Sequence, residues 1–310
     1  MRGGGLIRWS GHKGLWISTL MLLFFAVLGQ VLVTGLFWPV FIYSLLLLAA
    51  ASLIQLFVWE FRLTDNRGYY PFSFFVLMGV AYLPHFMDWK SLLSVFLFIL
   101  SLFRLYAYSN PGVGKRILFE SSFLLGLSAL WMPRMALMLP VFWMVASIFD
   151  SVKWREWFGS ILGFSAVLWM YYGLSWFLDL EAHSQYLMSA FKTFSVWLWT
   201  DLGWPERILA FPIIFTATFS VLSMLKRWQK ENLIQRKRLS SLFVLLLGYT
   251  LNYVLMPAGM TCYFMAWMSL SSIVFAQWFS TTDHILSRVS FALLWLSALI
   301  VYLVLRFACS

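Results

Sequence analysis

The chain has 310 residues, of which 62% are hydrophobic and 11% charged, where an ordinary soluble domain carries about 25% charged residues. Its 22 basic and 12 acidic residues cannot give a globule of this length a hydrated skin, so composition excludes a cytosolic enzyme, a disordered chain and, despite a net charge of +10, a nucleic-acid-binding domain. What fits is an all-α, polytopic transmembrane bundle.

A hydrocarbon core about 30 Å thick takes about 20 apolar helical residues to cross. In chain order the apolar runs predict eleven spans, at 15–34, 37–59, 71–87, 91–108, 117–132, 134–149, 157–178, 208–225, 240–256, 259–279 and 288–307. They are read as helices because a lone strand in lipid leaves its amides unpaired, and the period-2 alternation of a barrel is missing. Arg2, Arg8 and Lys13 ahead of the first run look like the basic start of a signal peptide. Gln30-Val31-Leu32-Val33 carries that run on without a small-x-small cleavage pattern, so an uncleaved first helix is expected.

The run 186–200 is apolar and aromatic, but short and interrupted by Lys192. The positive-inside rule decides its place. The strongest basic cluster, Lys226, Arg227, Lys230, Arg236, Lys237 and Arg238, opposed only by Glu231, follows 208–225 and belongs inside. With the N-terminus inside and seven spans before residue 179, the 208–225 helix must run inward, so 186–200 cannot cross. It is expected to lie on the outer face as an interfacial helix, with Trp197, Trp199 and Trp204 at headgroup depth. This topology, N-terminus in and C-terminus out, puts 17 basic residues inside and 5 outside. The basic excess is thus an orientation signal. The same inner loop can contact anionic lipid headgroups through Lys226, Arg227, Lys230, Arg236, Lys237 and Arg238.

No linker divides the chain, and 1–310 reads as one integral membrane domain. Tyr82-Leu83-Pro84-His85, Trp131-Met132-Pro133-Arg134 and Leu255-Met256-Pro257-Ala258 place proline at three outer turns. They mark either tight helical hairpins or the trace of an internal repeat. Gly126, Ser128, Ala129, Gly159 and Gly163 suit close helix packing.

Cys262 and Cys309 make no disulfide scaffold, and His12, His85, His183 and His284 form no HxxH or HExxH pair. No metal or cofactor enters the expectation. Two polar constellations stand out. On the inner side are Glu60 and Arg62 at the end of the second span, Asp65 and Asn66 in the turn after it, Arg104 near the end of the fourth and Glu120 in the first turns of the fifth. A carboxylate at membrane depth wants a partner, and Arg104 stands at similar depth across the 109–116 loop. An Arg104–Glu120 pair is therefore expected, either as a functional polar site or as a bridge that holds two helices in register. On the outer side are His85 and Asp88, then Asp179, Glu181 and His183, then Asp201 and Glu206. Asp88, Asp179, Glu181 and Asp201 are the candidate catalytic acids, since carboxylates beside histidines do general acid–base work or hold a divalent ion. As loop charges they equally form a hydrated rim. The 18 Trp, 31 Phe and 13 Tyr suit lipid-facing surfaces and interfacial belts. Trp197, Trp199 and Trp204 alternatively line a groove for a lipid-linked sugar.

Leu63-Thr64-Asp65-Asn66-Arg67-Gly68-Tyr69-Tyr70 and Phe119-Glu120-Ser121-Ser122-Phe123-Leu124-Leu125-Gly126-Leu127-Ser128-Ala129-Leu130, with Lys153-Trp154-Arg155-Glu156-Trp157 and Leu162-Gly163 after them, carry a resemblance. Over roughly residues 50–170 the chain resembles a family of multi-pass inner-membrane proteins of Bacteroidetes-type bacteria. That family implies topology and compartment, and no activity. Gly126-Leu127-Ser128-Ala129-Leu130-Trp131-Met132-Pro133 and Leu139-Pro140 are more loosely similar to a hairpin of the GT-C membrane glycosyltransferases, which use polyprenyl-phosphate sugars. Those enzymes usually carry an acid in the first outer loop. Here that loop is Thr34-Gly35-Leu36-Phe37-Trp38-Pro39, without one.

Three functions remain. The first is a non-enzymatic scaffold or accessory component of cell-envelope assembly in the bacterial inner membrane, with lipids and envelope-assembly proteins as partners. The second is a glycosyltransferase or polymerase acting on polyprenyl-linked sugars at the outer face. The third is a small-molecule or lipid transporter. The lack of a catalytic motif favours the first. Gln30, Gln55, Asn252 and Gln277 lie toward span ends, and no Asp, Glu or Lys sits mid-span, which speaks against ion-coupled transport.

Overall fold

The computed structural model describes residues 5–35, 37–64, 68–81, 89–110, 116–150, 152–177, 231–255 and 260–281, with isolated positions between 220 and 229 and between 293 and 302. All regular structure among them is helical: α1 (Gly5–Thr34), α2 (Phe37–Glu60), α3 (Tyr70–Ala81), α4 (Trp89–Ala107), α5 (Ile117–Trp131), a 3-10 turn (Pro133–Leu137), α6 (Met138–Phe149), α7 (Trp154–Phe177), α8 (Leu233–Leu255) and α9 (Met260–Thr281). Three stretches, Phe37–Glu60, Trp89–Ala107 and Trp154–Trp176, are long and apolar enough to cross a bilayer.

The chain forms two compact units, each assembled from separate stretches. Unit 1 takes Met1–Trp89, Thr200–Gln229 and Ser271–Ser310, and unit 2 takes Lys90–Trp199 and Lys230–Leu270.

Unit 1 is built around the α2–α3 pair, with α1 against both. Gly35 ends α1 at φ +67, and its N–H bonds the Val31 carbonyl at 2.9 Å, the left-handed stop that glycine makes without steric cost. α2 is apolar on every side and buries Leu47, Ile54 and Phe57. It ends in a Schellman motif: Leu63 N–H reaches the Val58 carbonyl at 3.0 Å and Arg62 N–H the Trp59 carbonyl at 3.3 Å. The left-handed position belongs to Arg62, at φ 51. Gln55 then fixes the turn, donating from Nε2 to the Gly68 carbonyl at 2.9 Å and accepting the Phe72 N–H at 3.4 Å. It thereby satisfies one of the orphan amides at the start of α3. Farther along, the Tyr43 hydroxyl donates to the Gly79 carbonyl at 3.2 Å, and a Cβ on Gly79 would run into the Leu47 side chain, so α2 and α3 meet closely there.

Unit 2 has two seams. In the first, α5 lies along α7. The Ser122 and Ser160 hydroxyls share a hydrogen bond at 2.6 Å, Gly126 faces Val167, and a Cβ on Gly163 would strike the Phe119 carbonyl. From Ser122–Ser160 to Gly126–Val167 the contact positions rise together, and Tyr108, just ahead of α5, meets Glu156 in the first turn of α7, so α5 and α7 run parallel. In the second, α6 packs on α8, with Gly248 against Val141. The ring of Phe98 of α4 lies tilted against those of Tyr249 and Phe142, with ring centroids 5.8 and 6.4 Å away. Trp267 Nε1 of α9 donates to Thr250 Oγ1 at 3.0 Å.

Element ends depart from hydropathy for local reasons. The expected span 134–149 opens as a 3-10 turn, because Pro133 starts it and Pro140 sits in the first turn of α6, where a missing N–H costs nothing. α8 begins at Leu233 rather than 240, since Arg236, Lys237 and Arg238 are good helix formers that hydropathy counts as a stop. α7 begins at Trp154 rather than 157. Glu156, its third residue, reaches back to the Lys153 N–H at 3.0 Å, half of a capping box. The 186–200 segment lies outside the described residues, as do nearly all of 208–225 and 288–307.

Candidate functional site

Three polar clasps of unit 2 lie at one end, where α4 stops and α5, α7 and α8 start. Glu120 stands in the first turn of α5, where the helix dipole favours a carboxylate. Its Oε2 lies 3.6 Å from Arg104 Nε in the last turn of α4, and its Oε1 lies 3.3 Å from Arg116 Nε, one turn earlier on its own helix. The structure thus brings Arg104 and Glu120 together and adds Arg116. The Arg104 and Arg116 side chains are 57% and 86% exposed, so each pair contributes about 0–1 kcal/mol.

A second clasp is buried. Arg238, 8% exposed, donates from Nε to Ser109 Oγ at 3.0 Å and from Nη2 to Asn110 Oδ1 at 2.8 Å. Its own carbonyl accepts from the Tyr106 hydroxyl at 3.3 Å and from Ser241 Oγ at 2.7 Å. Beside it, Lys237 Nζ donates to the Phe149 carbonyl at 2.7 Å, and Arg236 Nε donates to the Glu231 carbonyl at 2.7 Å. Three members of the basic cluster therefore make hydrogen bonds inside the protein, and two of them, Lys237 and Arg238, join α8 to the ends of α6 and α4.

The third clasp is Tyr108, in the turn beyond α4, which donates to Glu156 Oε2 of α7 at 2.9 Å. Burial, then the Glu156 hydrogen bond and charge, then Asp150, raise the Tyr108 phenol above its ordinary range, so it stays protonated and remains a donor. At the opposite end of the unit, Ser94 and Ser128 bond reciprocally, each also reaching the other's carbonyl at 2.8 and 2.9 Å. Asn252 Nδ2 donates to the Arg134 carbonyl at 3.2 Å and so holds the 3-10 turn against α8.

Glu60 and Arg62 belong to unit 1, at the end of α2. Asp65, Asn66, Lys226, Arg227, Lys230 and the outer acids Asp88, Asp179, Glu181 and Asp201 lie outside the described residues, as do Trp197, Trp199 and Trp204. Sequence reading missed Arg116, although its i,i+4 spacing to Glu120 is a helix-pair signal. It also missed the Glu156 cap, which its place in the first turn of α7 announces. Nothing local announces Arg238 with Asn110, which stand 128 positions apart.

Among the described residues, no group of three His, Cys, Asp or Glu is placed to hold a metal ion. A cavity of about 420 Å³ opens in unit 1 between Leu22, Phe25 and Ala26 of α1, Leu77 and Val80 of α3, and Tyr302. Among the described lining residues the one polar side chain is that of Tyr302.

Three helices of crossing length in an all-helical chain suggest a multi-pass membrane protein. No family model, no curated protein and no solved structure matches the chain.

Proposed function

We propose that this chain is an integral protein of the bacterial inner membrane, with eleven spans, its N-terminus inside and its C-terminus outside. We infer that it acts as a non-enzymatic scaffold or accessory component of cell-envelope assembly, with membrane lipids and envelope-assembly proteins as partners. The observation that carries this reading is the use unit 2 makes of its polar groups. Arg104, Glu120, Glu156, Lys237 and Arg238 tie one helix end to another, and paired serines close the seams. They hold helices together instead of converging on an open space. A glycosyltransferase acting on polyprenyl-phosphate sugars would need Asp88, Asp179, Glu181 or Asp201 as its base, and a transporter would need a polar site at mid-depth. The apolar cavity of unit 1 supplies neither.

The test pairs Glu120→Ala with Asp179→Ala in cells that depend on the protein. On the scaffold reading, Glu120→Ala lowers abundance and growth together, because a loss of about 1 kcal/mol changes steady-state levels several-fold. Asp179→Ala changes neither. A growth defect from Asp179→Ala at normal abundance would overturn the scaffold in favour of chemistry at the outer face.

A further inference from the structure

We propose that the inner edge of the α5–α7 pair binds the headgroup of an anionic phospholipid, through Arg116, Lys153 and Arg155. The proposal rests on reading these helices as membrane-spanning. The sequence points to the 226–238 loop for such contacts, yet Arg236, Lys237 and Arg238 are engaged within the protein. Among the described residues, the exposed cations of unit 2's inner end are Arg104, in the last turn of α4, and Arg116, Lys153 and Arg155, at the starts of α5 and α7.

Helix geometry sets them on one level. α5 and α7 run parallel and meet at Ser122 and Ser160. Arg116 precedes Ser122 by six residues and Arg155 precedes Ser160 by five. At 1.5 Å per residue both stand about 8–9 Å toward the inner end, and Lys153 stands about 10 Å. All three are exposed. Immediately above them the outer side of α7 turns apolar. Trp154 and Phe158 pack edge to face, and both are exposed, as are Ile161 and Leu162 one turn on.

Cations on one level beneath an exposed aromatic and aliphatic face match a phospholipid: phosphate against guanidinium and ammonium, acyl chain along the helix. Trp154 sits at the step between the two, where tryptophan favours the interface. Nearby acids do not cancel the site. Glu120 is shared between Arg104 and Arg116, and Glu156 is buried and accepts from Tyr108 and the Lys153 N–H. Asp150 is the exposed acid in the same inner turn, so among the described residues the four exposed cations Arg104, Arg116, Lys153 and Arg155 face two carboxylates, Glu120 and Asp150, and the positive excess favours an anionic over a zwitterionic headgroup.

The experiment uses the full chain in vesicles of phosphatidylcholine with graded fractions of phosphatidylglycerol. The lipids retained on the purified protein are counted by native mass spectrometry. Wild type is expected to retain phosphatidylglycerol preferentially. Lys153→Gln with Arg155→Gln, at exposed positions, should weaken that preference about fivefold per charge removed, at an unchanged melting temperature, and Lys153→Arg with Arg155→Lys should keep it. An unaltered preference in the double glutamine variant overturns the proposal. So does its loss in Lys226→Gln with Arg227→Gln alone. A wild type that inserts but ignores headgroup charge also overturns it, and points to an acidic protein surface as the occupant. Failure of the membrane reading itself is seen separately, as protein that an alkaline wash strips from the vesicles.

Discussion

Arg62 closes α2 in a left-handed conformation that side-chain-bearing residues avoid, because Cβ crowds the following carbonyl. Glycine fills this position in most Schellman motifs. Arg62→Gly should therefore stabilise the protein by about 1 kcal/mol, read as a higher melting temperature in detergent; no rise would mean that the arginine side chain repays its own strain. The neighbouring polar residues show what a sequence can convey at this scale. Glu120 and Arg104 were legible as partners because charge near the membrane needs a counter-charge. Gln55 was legible only as a polar residue near a helix end. Its task, capping the next helix at Phe72 across 17 positions, depends on the turn that folds α3 back. Arg238 is the hardest to read. By composition it is one more charge of a cytoplasmic loop, and only the approach of α8 to the 109–110 turn makes it a buried clasp.

At the scale of elements, the α5–α7 seam turns on helix phase. Gly126, Gly159 and Gly163 are equally small, but only two of them face a partner. A Cβ on Gly163 would meet the Phe119 carbonyl, which is backbone and cannot swing aside, whereas a Cβ on Gly159 would meet nothing within 4 Å. Gly163→Ala should cost about 1–3 kcal/mol by overpacking. Gly159→Ala should be neutral or stabilising by up to about 1 kcal/mol through helix propensity. Melting of the two variants side by side checks the pair, and equal effects would deny the seam. Small residues thus announced close packing in the sequence, but the choice among them needed the register of two helices. The same holds for boundaries. Apolar runs located the helices of the described residues, while caps and prolines, which hydropathy does not weigh, moved their ends.

For the whole molecule, the fold class follows from composition and pattern, since a chain with so few charges can satisfy its backbone polar groups in lipid only as helices or a closed barrel, and the period-2 alternation of a barrel is missing. The assembly of each unit from distant stretches did not follow, because pairings such as Tyr106 with Arg238 leave no periodic trace. The proposed topology makes a prediction at this scale. A membrane-impermeant thiol reagent should reach Cys309 in spheroplasts, whereas a cysteine in Arg227→Cys should react only after lysis. Protection of Cys309 until lysis would invert the C-terminal half.

The 3-10 turn before α6 also bears on thickness. Parallel α5 and α7 require the segment between them to travel back across the unit, and its helical part runs from Pro133 to Phe149. Wound wholly as α-helix at 1.5 Å per residue, these 17 residues reach about 25 Å. With the five residues Pro133–Leu137 drawn out to about 2.0 Å each, they reach about 28 Å. The tighter winding thus acts as an extender, bringing a return stroke that is too short for a bilayer to within a few ångströms of the hydrocarbon core.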